Sequence, residues 1–365
     1  MERFPRVAII FLSYHSEEYL DRFFASLQNY TYPIDCFEVL IVDNFHQTFG
    51  SSVEIIKQKL TLIPKDKLPK ITILLQEKNL GFSGGVNVGI KHAINEGCEY
   101  VFLHNQDGFL SSEALEKIVK VMEKDKSIGA AQSLMLLQND SKKINSTGNA
   151  FHYLGFGFVK NYEKNIDEIK LLPVEDIGYA SGAAVIVRAE LFSITGLWEE
   201  DYFFYHEDLE FSTRLRAFGF RVVVASDSLF YHQYEFSRNK NKFYFMERNR
   251  YNLLLTFYKW PSLLILLPIL IYTELGVLML ALMQGWFLEK VRASVYWLNP
   301  LNLYKVFKKR SDIQKKRVKK DSDFFKYAVG SIDFAGAGMN NIVVKFFVNP
   351  VFEIYFFIIK KIIFW

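Results

Sequence analysis

At 365 residues, the chain is long enough to form one large domain with an appendage, or two domains. Half of the residues are hydrophobic, which excludes a mainly disordered protein, and the net charge of +4 argues neither for nor against an acidic partner. The two cysteines, Cys36 and Cys98, form no disulfide framework and no Cys-x-x-Cys metal motif, a composition that suits a reducing cytosol.

The first half of the chain alternates strand-like and helix-like segments. The apolar run VAIIFL, residues 7–12, is too short for a signal peptide and predicts a first strand, so the N-terminal part is expected in the cytosol. A helical pattern follows, with Ser16 as its predicted N-cap. Further strands are predicted at FEVLIVDN, KITILLQ and YVFLHNQD, and a glycine-rich turn leads into the helix GGVNVGIKHAINEG. This order predicts an α/β protein with a mostly parallel, doubly wound sheet.

Polar residues follow the predicted strands at the ends where such sheets bind ligands. Tyr14, Asp43, Asn79 and Asp107 each stand at or just beyond the carboxyl end of a strand. Because these ends meet at one edge of a parallel sheet, we expect the four residues to lie around one site.

The middle of the chain continues the α/β pattern. The segment GYASGAAVIVRAELFSITG predicts a glycine-rich turn, a strand and a helix. The segment FFYHEDLEFSTRLRAFG then predicts a helix with Glu207 and Asp208 near its N-terminus, and a further strand ends near His232. No internal repeat or low-complexity linker is present in the sequence.

The character of the sequence changes after Asn249. Residues 263–283 are apolar and numerous enough to span a membrane, but they include Glu274, and a glutamate at mid-span costs about 2.5–3.5 kcal/mol. Residues 305–320 contain nine Lys or Arg and one Asp, which a single span would place on the far side of the membrane, against the positive-inside bias. A hairpin, a re-entrant segment or helices lying in the interface are therefore favoured.

The alternative for this C-terminal region is a helical subdomain that packs on its own core or on a second copy of the chain. The second case predicts a homo-oligomer formed through the C-terminal helices. A nucleic-acid partner is not expected, because the basic run adjoins an apolar segment and lacks a recognised nucleic-acid motif. The cytoplasmic membrane surface fits the basic and aromatic composition better.

Two features are candidates for binding a nucleotide. Asp43 can accept a hydrogen bond from a uracil or thymine ring or from a ribose hydroxyl, although Asp-Asn is more often a turn signal. The segment NLGFSGGVNVG, residues 79–89, has four glycines that let the backbone approach a ligand, and the following helix favours an anion at its N-terminus. A purely structural glycine-rich turn is equally expected there.

Five further residues are candidates for chemistry. Asn105 and Asp107, two apart on an extended segment, can both face Mg²⁺ or Mn²⁺ bridging a diphosphate, and the alternative is a solvated loop aspartate. Glu207 and Asp208 point about 100° apart on a helix, so that one can act as a general base, although acidic pairs are also ordinary helix-dipole partners. A lone histidine such as His232 is more often a core or surface residue than a ligand.

The order of these segments resembles the family 2 inverting glycosyltransferases of GT-A fold, especially bacterial rhamnosyl- and galactofuranosyltransferases. The segments that carry the resemblance are IIFLSYH, VLIVDN, NLGFSGGVNVG, LHNQDG, the long block at residues 181–222, and the later YH. They cover roughly residues 6–250, and the block at 181–222 is the most specific. The expected organisation is a GT-A domain over residues 1–250 and a helical, membrane-associated region over residues 251–365.

The resemblance implies a catalytic and a metal-binding role for particular residues. The stretch Asn105-Gln106-Asp107 occupies the place of the family's D-x-D metal motif, with Asn instead of the first Asp, and this loss of one charge weakens the expected hold on a metal. His232 matches the family's downstream histidine, a third contact with Mg²⁺ or Mn²⁺. Asp208 matches the catalytic base, in the Glu207-Asp208 pair.

The resemblance also implies which residues surround the substrates. The residues expected around the donor and the sugar or acceptor are Ser13, Tyr14, Asp43, Asn79, Gly81, Gly84, Asn87, Asn105, Gln106, Ser181, Gly182 and Trp198. Arg248 and Arg250 are expected either to meet a phosphate of the donor or of a lipid-diphosphate acceptor, or to form salt bridges at the start of a helix.

The implied function is transfer of a sugar from dTDP-rhamnose or a UDP-sugar to a hydroxyl of a lipid-linked or oligosaccharide acceptor of the cell surface, at the cytoplasmic face of the membrane. Two other functions remain open. A nucleotidyltransferase would need a glycine-rich loop with Lys or Arg after the first strand, and SYHSEEY has none. A non-catalytic membrane-bound scaffold on a decayed transferase has only Asn105 in its favour.

Overall fold

The computed structural model describes residues 3–234, 240–333 and 344–365. In these ranges, short strands form two sheets, and helices cover the larger one. The strands are β1 Val7–Ser13, β2 Phe37–Asp43, β3 Lys70–Leu75, β4 Tyr100–Asn105, β5 Gly108–Leu110, β6 Ile128–Leu137, β7 Asp140–Ser146, β8 Asn149–His152, β9 Gly157–Val159, β10 Val174–Asp176, β11 Ala184–Arg188, β12 Arg221–His232 and β13 Ala328–Val329.

The helices occupy both faces of the sheet in the first part of the chain and dominate its last third. They are α1 Leu20–Leu27, α2 Val53–Thr61, α3 Gly81–Asn95, α4 Ala114–Lys124, α5 Leu191–Thr195, α6 Glu207–Ala217, α7 Asn241–Phe257, α8 Trp260–Gln284, α9 Phe287–Tyr296, α10 Pro300–Lys316, α11 Asp321–Phe324 and α12 Asn349–Ile362. The predicted N-cap at Ser16 is wrong, since α1 begins at Leu20 with Tyr19 at its N-cap, and the Ser16 hydroxyl instead hydrogen-bonds the Ser13 hydroxyl.

The large sheet has the order β10-β12-β6-β11-β4-β1-β2-β3, with β5 paired to β12 and β7 to β6. The strands β4, β1, β2 and β3 are parallel neighbours, and β12 is parallel to β6. β11 runs antiparallel between β4 and β6. The predicted mixed α/β architecture with a mostly parallel sheet is therefore confirmed. The antiparallel strands β5, β7, β10 and β11 add reversals that the sequence pattern did not indicate.

The register of the parallel strands places their carboxyl ends side by side. Ser13 pairs with Asp43, Leu12 with Asn105, and Asp43 with Leu75. β1 and β2 are buried along almost their whole length, because α1, α2 and α4 pack on one face of the sheet and α3, α5 and α6 on the other. The rigid core thus fixes the strand ends at one edge.

A third apolar cluster joins the C-terminal helices to the rest of the molecule. Residues of α7, α8, α11 and α12 pack there against Tyr153, beyond β8, and against Leu209 of α6. α7 runs through residue 250, so the limit between residues 1–250 and 251–365 falls inside a helix, and the division stays a prediction. Of the helices in the described ranges, α8 alone is long and apolar enough to cross a membrane by length and composition.

Candidate active site

A cavity of about 260 Å³ lies at the carboxyl edge of the sheet. Five of the residues selected from the sequence line it: Asn105, Ser181, Glu207, Asp208 and His232. Much of its remaining wall is aromatic and is formed by Phe82, Phe158, Tyr179, Phe204, Tyr205 and Tyr234. The cavity therefore brings the predicted base and two of the predicted metal ligands to one space.

The turn that precedes α6 has an unusual backbone. Phe203, Tyr205 and His206 have φ angles of 60°, 65° and 67°. A left-handed conformation costs a residue other than glycine about 1–2 kcal/mol, so the surroundings must hold this turn in place. Because Glu207 and Asp208 follow directly, the turn sets the direction in which both carboxylates enter the cavity.

Asn249 holds this turn from α7. Its side-chain Nδ2 donates to the carbonyl oxygens of Tyr202, Phe204 and Tyr205 at 3.0, 3.2 and 2.7 Å. Its Oδ1 accepts from Arg248 Nε at 2.9 Å, which fixes the orientation of the amide. Sequence reasoning missed Asn249, although it lies between the two arginines that were selected; no spacing rule marks a buried amide that binds backbone carbonyls.

Arg248 also forms hydrogen bonds with the chain that leads into this turn. Its guanidinium donates to the carbonyl oxygens of Asp201 and Tyr202 at 2.5 and 3.0 Å, and the side chain is buried. Arg250 is fully buried and forms ion pairs with Glu247 and Glu274 at 3.0 and 2.6 Å. Both arginines thus have internal partners in the middle of α7, whereas the alternative had placed salt bridges at the start of a helix. Their contact with a phosphate stays a prediction.

The acidic pair is strongly affected by burial. Burial raises the pKa of Asp208 to about 7, and the backbone amide of Gly182 offsets part of this effect. Burial and the neighbouring charge of Asp208 raise the pKa of Glu207 well above its usual value. Among the described residues, Asp208 Oδ1 and Glu207 Oε2 have no hydrogen-bond partner. Burial therefore favours the protonated form of both carboxyl groups, and the negative charge of Asp208 favours it further at Glu207.

Gly182 leaves no room for a side chain beside Asp208. A Cβ at this position would lie 2.7 Å from Asp208 Oδ1 and 2.5 Å from Phe82 Cζ. Gly182→Ala should therefore displace the carboxylate and lower the rate constant of turnover at least about tenfold, since small misplacements of catalytic groups have effects of this order. Steady-state kinetics would measure it, with Gly276→Ala as the control, because a Cβ at Gly276 meets nothing within 4 Å. Equal rates for the two variants would contradict this role.

Asp107 is the second charged group of the site, and it links Asn105 at the end of β4 to His232 at the end of β12. Asp107 Oδ1 accepts from Asn105 Nδ2 at 2.8 Å and lies 3.1 Å from His232 Nε2. Burial opposes ionisation of Asp107, but the hydrogen bonds from His232 and Asn105 outweigh it and hold its pKa below the usual value. His232 Nδ1 lies 3.0 Å from Asn145 Oδ1, a buried contact that sequence reasoning also missed. Asp107, Asn105 and His232 thus converge although 125 residues separate Asp107 from His232.

The donor set is too small to form a complete metal site. In the described parts of the chain, no group of three or more His, Cys, Asp or Glu is placed to hold a metal ion. One carboxylate, one imidazole and one amide oxygen are what Asp107, His232 and Asn105 can offer. Such a partial set fits Mg²⁺ or Mn²⁺, which commonly take only one or two protein ligands and complete their shell with water and substrate phosphates.

At the ends of β1 and β2, the predicted nucleotide residues are tied to each other. Asp43 is buried and accepts from Ser13 Oγ at 2.9 Å and from Ser51 Oγ at 2.5 Å. Gln106 pairs with the backbone of Tyr14, accepting from its N–H at 2.7 Å and donating to its carbonyl at 3.2 Å. The Tyr14 side chain is exposed at this edge. Asp43 therefore fixes the loop after β2, while Tyr14 and Gln106 remain at the rim.

The glycine-rich turn is the first turn of α3 and packs against protein. Gly81 has φ of +71°, and a Cβ there would lie 2.6 Å from the carbonyl oxygen of Phe203. The N–H of Phe82 donates to that oxygen at 2.9 Å, while Asn79 Oδ1 accepts from the N–H of Gly81. Gly84 is buried against Leu80. The expectation of an anion site formed by these glycines is thus wrong, and the structural alternative explains them.

Asn87 and Trp198 also lie outside the cavity. The Asn87 side chain exchanges two hydrogen bonds with the backbone of Trp198, at 2.8 and 3.0 Å. The Trp198 ring is buried and stacks on Phe211 of α6 at 4.7 Å. Their predicted contact with a sugar or acceptor is therefore wrong; they anchor the chain that leads to the strained turn.

A parallel sheet with a cavity at its carboxyl edge and carboxylates at its strand ends defines a ligand-binding α/β protein. The family model described as "Glycosyl transferase family 2" matches residues 8–193, and the chain belongs to this family. The match covers β1 through α5 and ends before the strained turn and Asp208.

Two relatives of known sequence share part of the chain. An uncharacterized glycosyltransferase of Haemophilus influenzae is 30% identical over 139 residues, covering 37% of this chain and 38% of that protein. The dTDP-rhamnosyl transferase RfbF of Shigella flexneri is 23% identical over 185 residues, covering 48% of this chain and 57% of that protein. The chain spans less than two thirds of either relative.

Solved structures show the fold. The mannosyltransferase PcManGT of Pyrobaculum calidifontis, in complex with GDP-Man and Mn²⁺, superposes with a TM-score of 0.52 at 13% identity, covering 98% of this chain and 88% of that chain. GalNAc-T7 with UDP, GalNAc and Mn²⁺ superposes with a TM-score of 0.53 at 12% identity, covering 71% and 49%. The predicted GT-A fold is confirmed.

Proposed function

We propose that the protein is an inverting glycosyltransferase in which Asp208 is the general base. One observation carries this proposal: a buried carboxylate with a pKa of about 7 faces the same cavity as Asn105 and His232, the partners of Asp107. A base must be able to both take and release a proton near the working pH, and this pKa allows it.

The reaction that fits this arrangement is a single displacement. Asp208 takes the proton of an acceptor hydroxyl while the oxygen attacks the anomeric carbon of the donor from the face opposite the leaving group. The bond from that carbon to the diphosphate oxygen breaks, and the nucleoside diphosphate leaves with the electron pair. Inversion follows, and no enzyme nucleophile is needed. Burial and the adjacent Asp208 raise the pKa of Glu207, which disfavours a second negative charge beside Asp208.

We place Mg²⁺ or Mn²⁺ at Asp107, His232 and Asn105. PcManGT and GalNAc-T7, which share the fold, are complexes with Mn²⁺. A bound cation would supply Lewis-acid stabilisation of the negative charge on the leaving diphosphate. On the protein side, Asp107 contributes the single negative charge, while Asn105 donates to it and His232 is held by Asn145.

We further propose a nucleotide-sugar donor, dTDP-rhamnose or a UDP-sugar, and a lipid-linked cell-surface glycan as acceptor. The relation to RfbF supports the first donor, and the UDP complex of GalNAc-T7 supports the second. The nucleotide would lie along the rim formed by Tyr14 and Gln106, over the loop that Asp43 fixes. The aromatic wall of the cavity, with Tyr179 and Tyr205, suits the apolar face of a sugar ring.

The donor proposal is tested by incubating the purified protein with a panel of nucleotide-sugars and Mn²⁺. We expect a raised thermal midpoint and slow donor hydrolysis with one of them, because a ligand that binds only the folded state stabilises it. Stabilisation by no nucleotide would instead favour the non-catalytic scaffold. Conversion of a nucleotide-sugar and added pyrophosphate to a nucleoside triphosphate and a sugar 1-phosphate would favour a nucleotidyltransferase.

The pH dependence of transfer follows from Asp208. Its pKa of about 7 predicts that the rate constant falls about tenfold for each pH unit below 7, because only the carboxylate form can take the proton, and levels off above 7. The test is a pH profile at saturating donor and acceptor. A rate that is flat from pH 5 to 8 would contradict the raised pKa, since an unshifted aspartate, which ionises near 3.8, would give such a profile.

A further inference from the structure

We propose that α8 lies flat on an anionic lipid surface and does not cross the bilayer, with α12 beside it in the same plane. The inference rests on the lipid-linked acceptor in the proposed function, but not on the transfer reaction. Length and composition alone would allow α8 to span, so the argument depends on how the helix is attached to the protein.

α8 has two different faces. Its inner face packs on the protein through Ser262, Leu266, Ile269, Thr273 and Ala281, all buried. Its outer face carries exposed apolar side chains three or four residues apart: Leu264, Leu267, Ile271, Leu275, Met279 and Leu282. This outer stripe is about 27 Å long at 1.5 Å per residue. A helix with one apolar face free along its whole length is suited to contact with a surface parallel to its axis.

A buried charge cluster attaches the middle of α8 to the catalytic part. Glu274 accepts from Arg250 of α7 at 2.6 Å and from Lys290 of α9 at 2.5 Å. Glu247 of α7 accepts from the same two cations at 3.0 and 2.6 Å. Two negative and two positive side chains thus compensate one another. Because removal of one partner would leave an opposite charge unpaired, the cluster holds α8 in a fixed position against α7.

This attachment excludes a spanning orientation. Glu274 is the fifteenth of the 25 residues of α8, so in a spanning helix it would lie near the bilayer centre. Arg250 and Glu247 would lie at the same depth, together with Asn249, which holds the strained turn before Asp208. The catalytic turn and its open cavity would then be inside the hydrocarbon, where unpaired backbone groups each cost several kcal/mol. Only the outer stripe can therefore face lipid.

α12 extends the outer stripe. Tyr355 of α12 donates to the carbonyl oxygen of Ile265 at 2.5 Å, so the two helices are in direct contact. The outward side chains of α12 include the exposed Ile354, Phe357 and Ile358. Together, the two helices present an apolar surface of the kind that on monomers usually marks an interaction site.

The positive charges at the edges of this apolar surface favour an anionic lipid membrane as its binding partner. Lys360 and Lys361 are exposed at the C-terminal end of α12. At the start of α8, the exposed Trp260 lies under the Arg310 guanidinium at 4.3 Å, and α10 continues the basic run. Anionic headgroups would pair with these cations, and Trp at the boundary is typical of a membrane interface.

The orientation can be measured with single cysteines on the outer stripe of the full chain. In a Cys36→Ser background, Leu264→Cys and Leu282→Cys lie near opposite ends of α8 and are 69% and 58% exposed. With vesicles of phosphatidylcholine and phosphatidylserine, we expect both thiols to become protected from a membrane-impermeant maleimide, and fluorophores attached to them to report equal, shallow depths. Leu62→Cys, at the C-terminal end of α2 and 78% exposed, should stay reactive and serves as the control.

Three outcomes would overturn the proposal. The first is that the thiol at one end of α8 reacts with the maleimide only after the vesicles have been permeabilised, which indicates that the helix spans the bilayer. The second is protection of both thiols without vesicles together with a doubled mass in light scattering, which indicates a second copy. The third is no binding to anionic vesicles at all. None of these depends on transfer, so they are distinguishable from failure of the proposed reaction.

A second variant separates lipid contact from folding. Leu267→Gln with Leu275→Gln changes two exposed side chains of the outer stripe, and we expect a loss of more than about tenfold in vesicle affinity, since burying each leucine contributes about 1.5–3 kcal/mol. Thermal stability and donor-induced stabilisation in solution should be unchanged. Unchanged vesicle affinity would show that the stripe does not contact lipid.

Discussion

Asp208→Asn is expected to abolish transfer while leaving the protein folded and able to bind the donor. The amide cannot take the proton of the acceptor hydroxyl, and loss of a general base typically lowers the rate by about 10²–10⁴-fold. The measurement is single-turnover transfer, with nucleotide binding followed separately by calorimetry. Full activity of Asp208→Asn would remove the proposed mechanism.

Two controls make this result specific. Glu207→Gln replaces a carboxyl group whose raised pKa favours its neutral form, so the neutral amide should retain activity within about tenfold of the unmodified protein. Stability gives the second control. Because the folded-state pKa of Asp208 lies above 3.8, its ionisation opposes folding as the pH rises towards about 7. Asp208→Asn should therefore melt higher than the unmodified protein at pH 8, and the difference should shrink at pH 5.

Asn249→Ala is expected to cost about 2–4 kcal/mol of unfolding free energy, because it leaves buried carbonyl groups of the strained turn without a donor and each such group costs about 1–3 kcal/mol. It should also reduce the rate constant of transfer far more than the affinity for a nucleoside diphosphate, since the turn directs Asp208 and lies away from the Tyr14 rim. Denaturant titration and steady-state kinetics measure the two effects.

Asn252→Ala on the same helix is the matched control for Asn249→Ala. Asn252 is also buried, but its side-chain oxygen accepts only from Thr256 Oγ1 at 3.2 Å among the hydrogen bonds described for it. We expect its substitution to cost about 1 kcal/mol, the net contribution of one ordinary hydrogen bond, without a change in the rate constant. Equal effects of the two substitutions on turnover would show that Asn249 has no special part in the site.

The parts of the site that depend on backbone direction could be predicted from the sequence. The runs that end on Asp43 and Asn105 predicted strands of one parallel sheet, and these two strands lie on either side of β1 with their carboxyl ends at one edge. Likewise, a helix starting at Glu207 follows from the acidic first turn and the periodicity after it. These features are local, or follow from the regular geometry of a parallel sheet.

The parts that depend on which way a side chain points could not be predicted. Arg250 and Trp198 are of the types that bind ligands, but each is buried against residues distant in the chain. The glycines of α3 suggested a phosphate loop, whereas Gly81 makes room for Phe203, more than a hundred residues later. Asn249 and Asn145 were missed for the same reason, because their partners are carbonyl and imidazole groups that only the folded chain brings near.

Two adjacent residues of α7, at positions 249 and 250, contact two different parts of the molecule: the turn before Asp208 and the helix α8. One residue binds the turn that directs Asp208, and the next binds the helix that we place on the lipid. Since a helix of this length moves as a rigid rod, a shift of α8 relative to α7 cannot occur without disturbing the turn. The turn before Asp208 and the proposed membrane contact thus depend on the same helix, α7. By reciprocity, a ligand that stabilises the turn should change the free energy of membrane binding, and membrane binding should change the affinity for that ligand by the same factor.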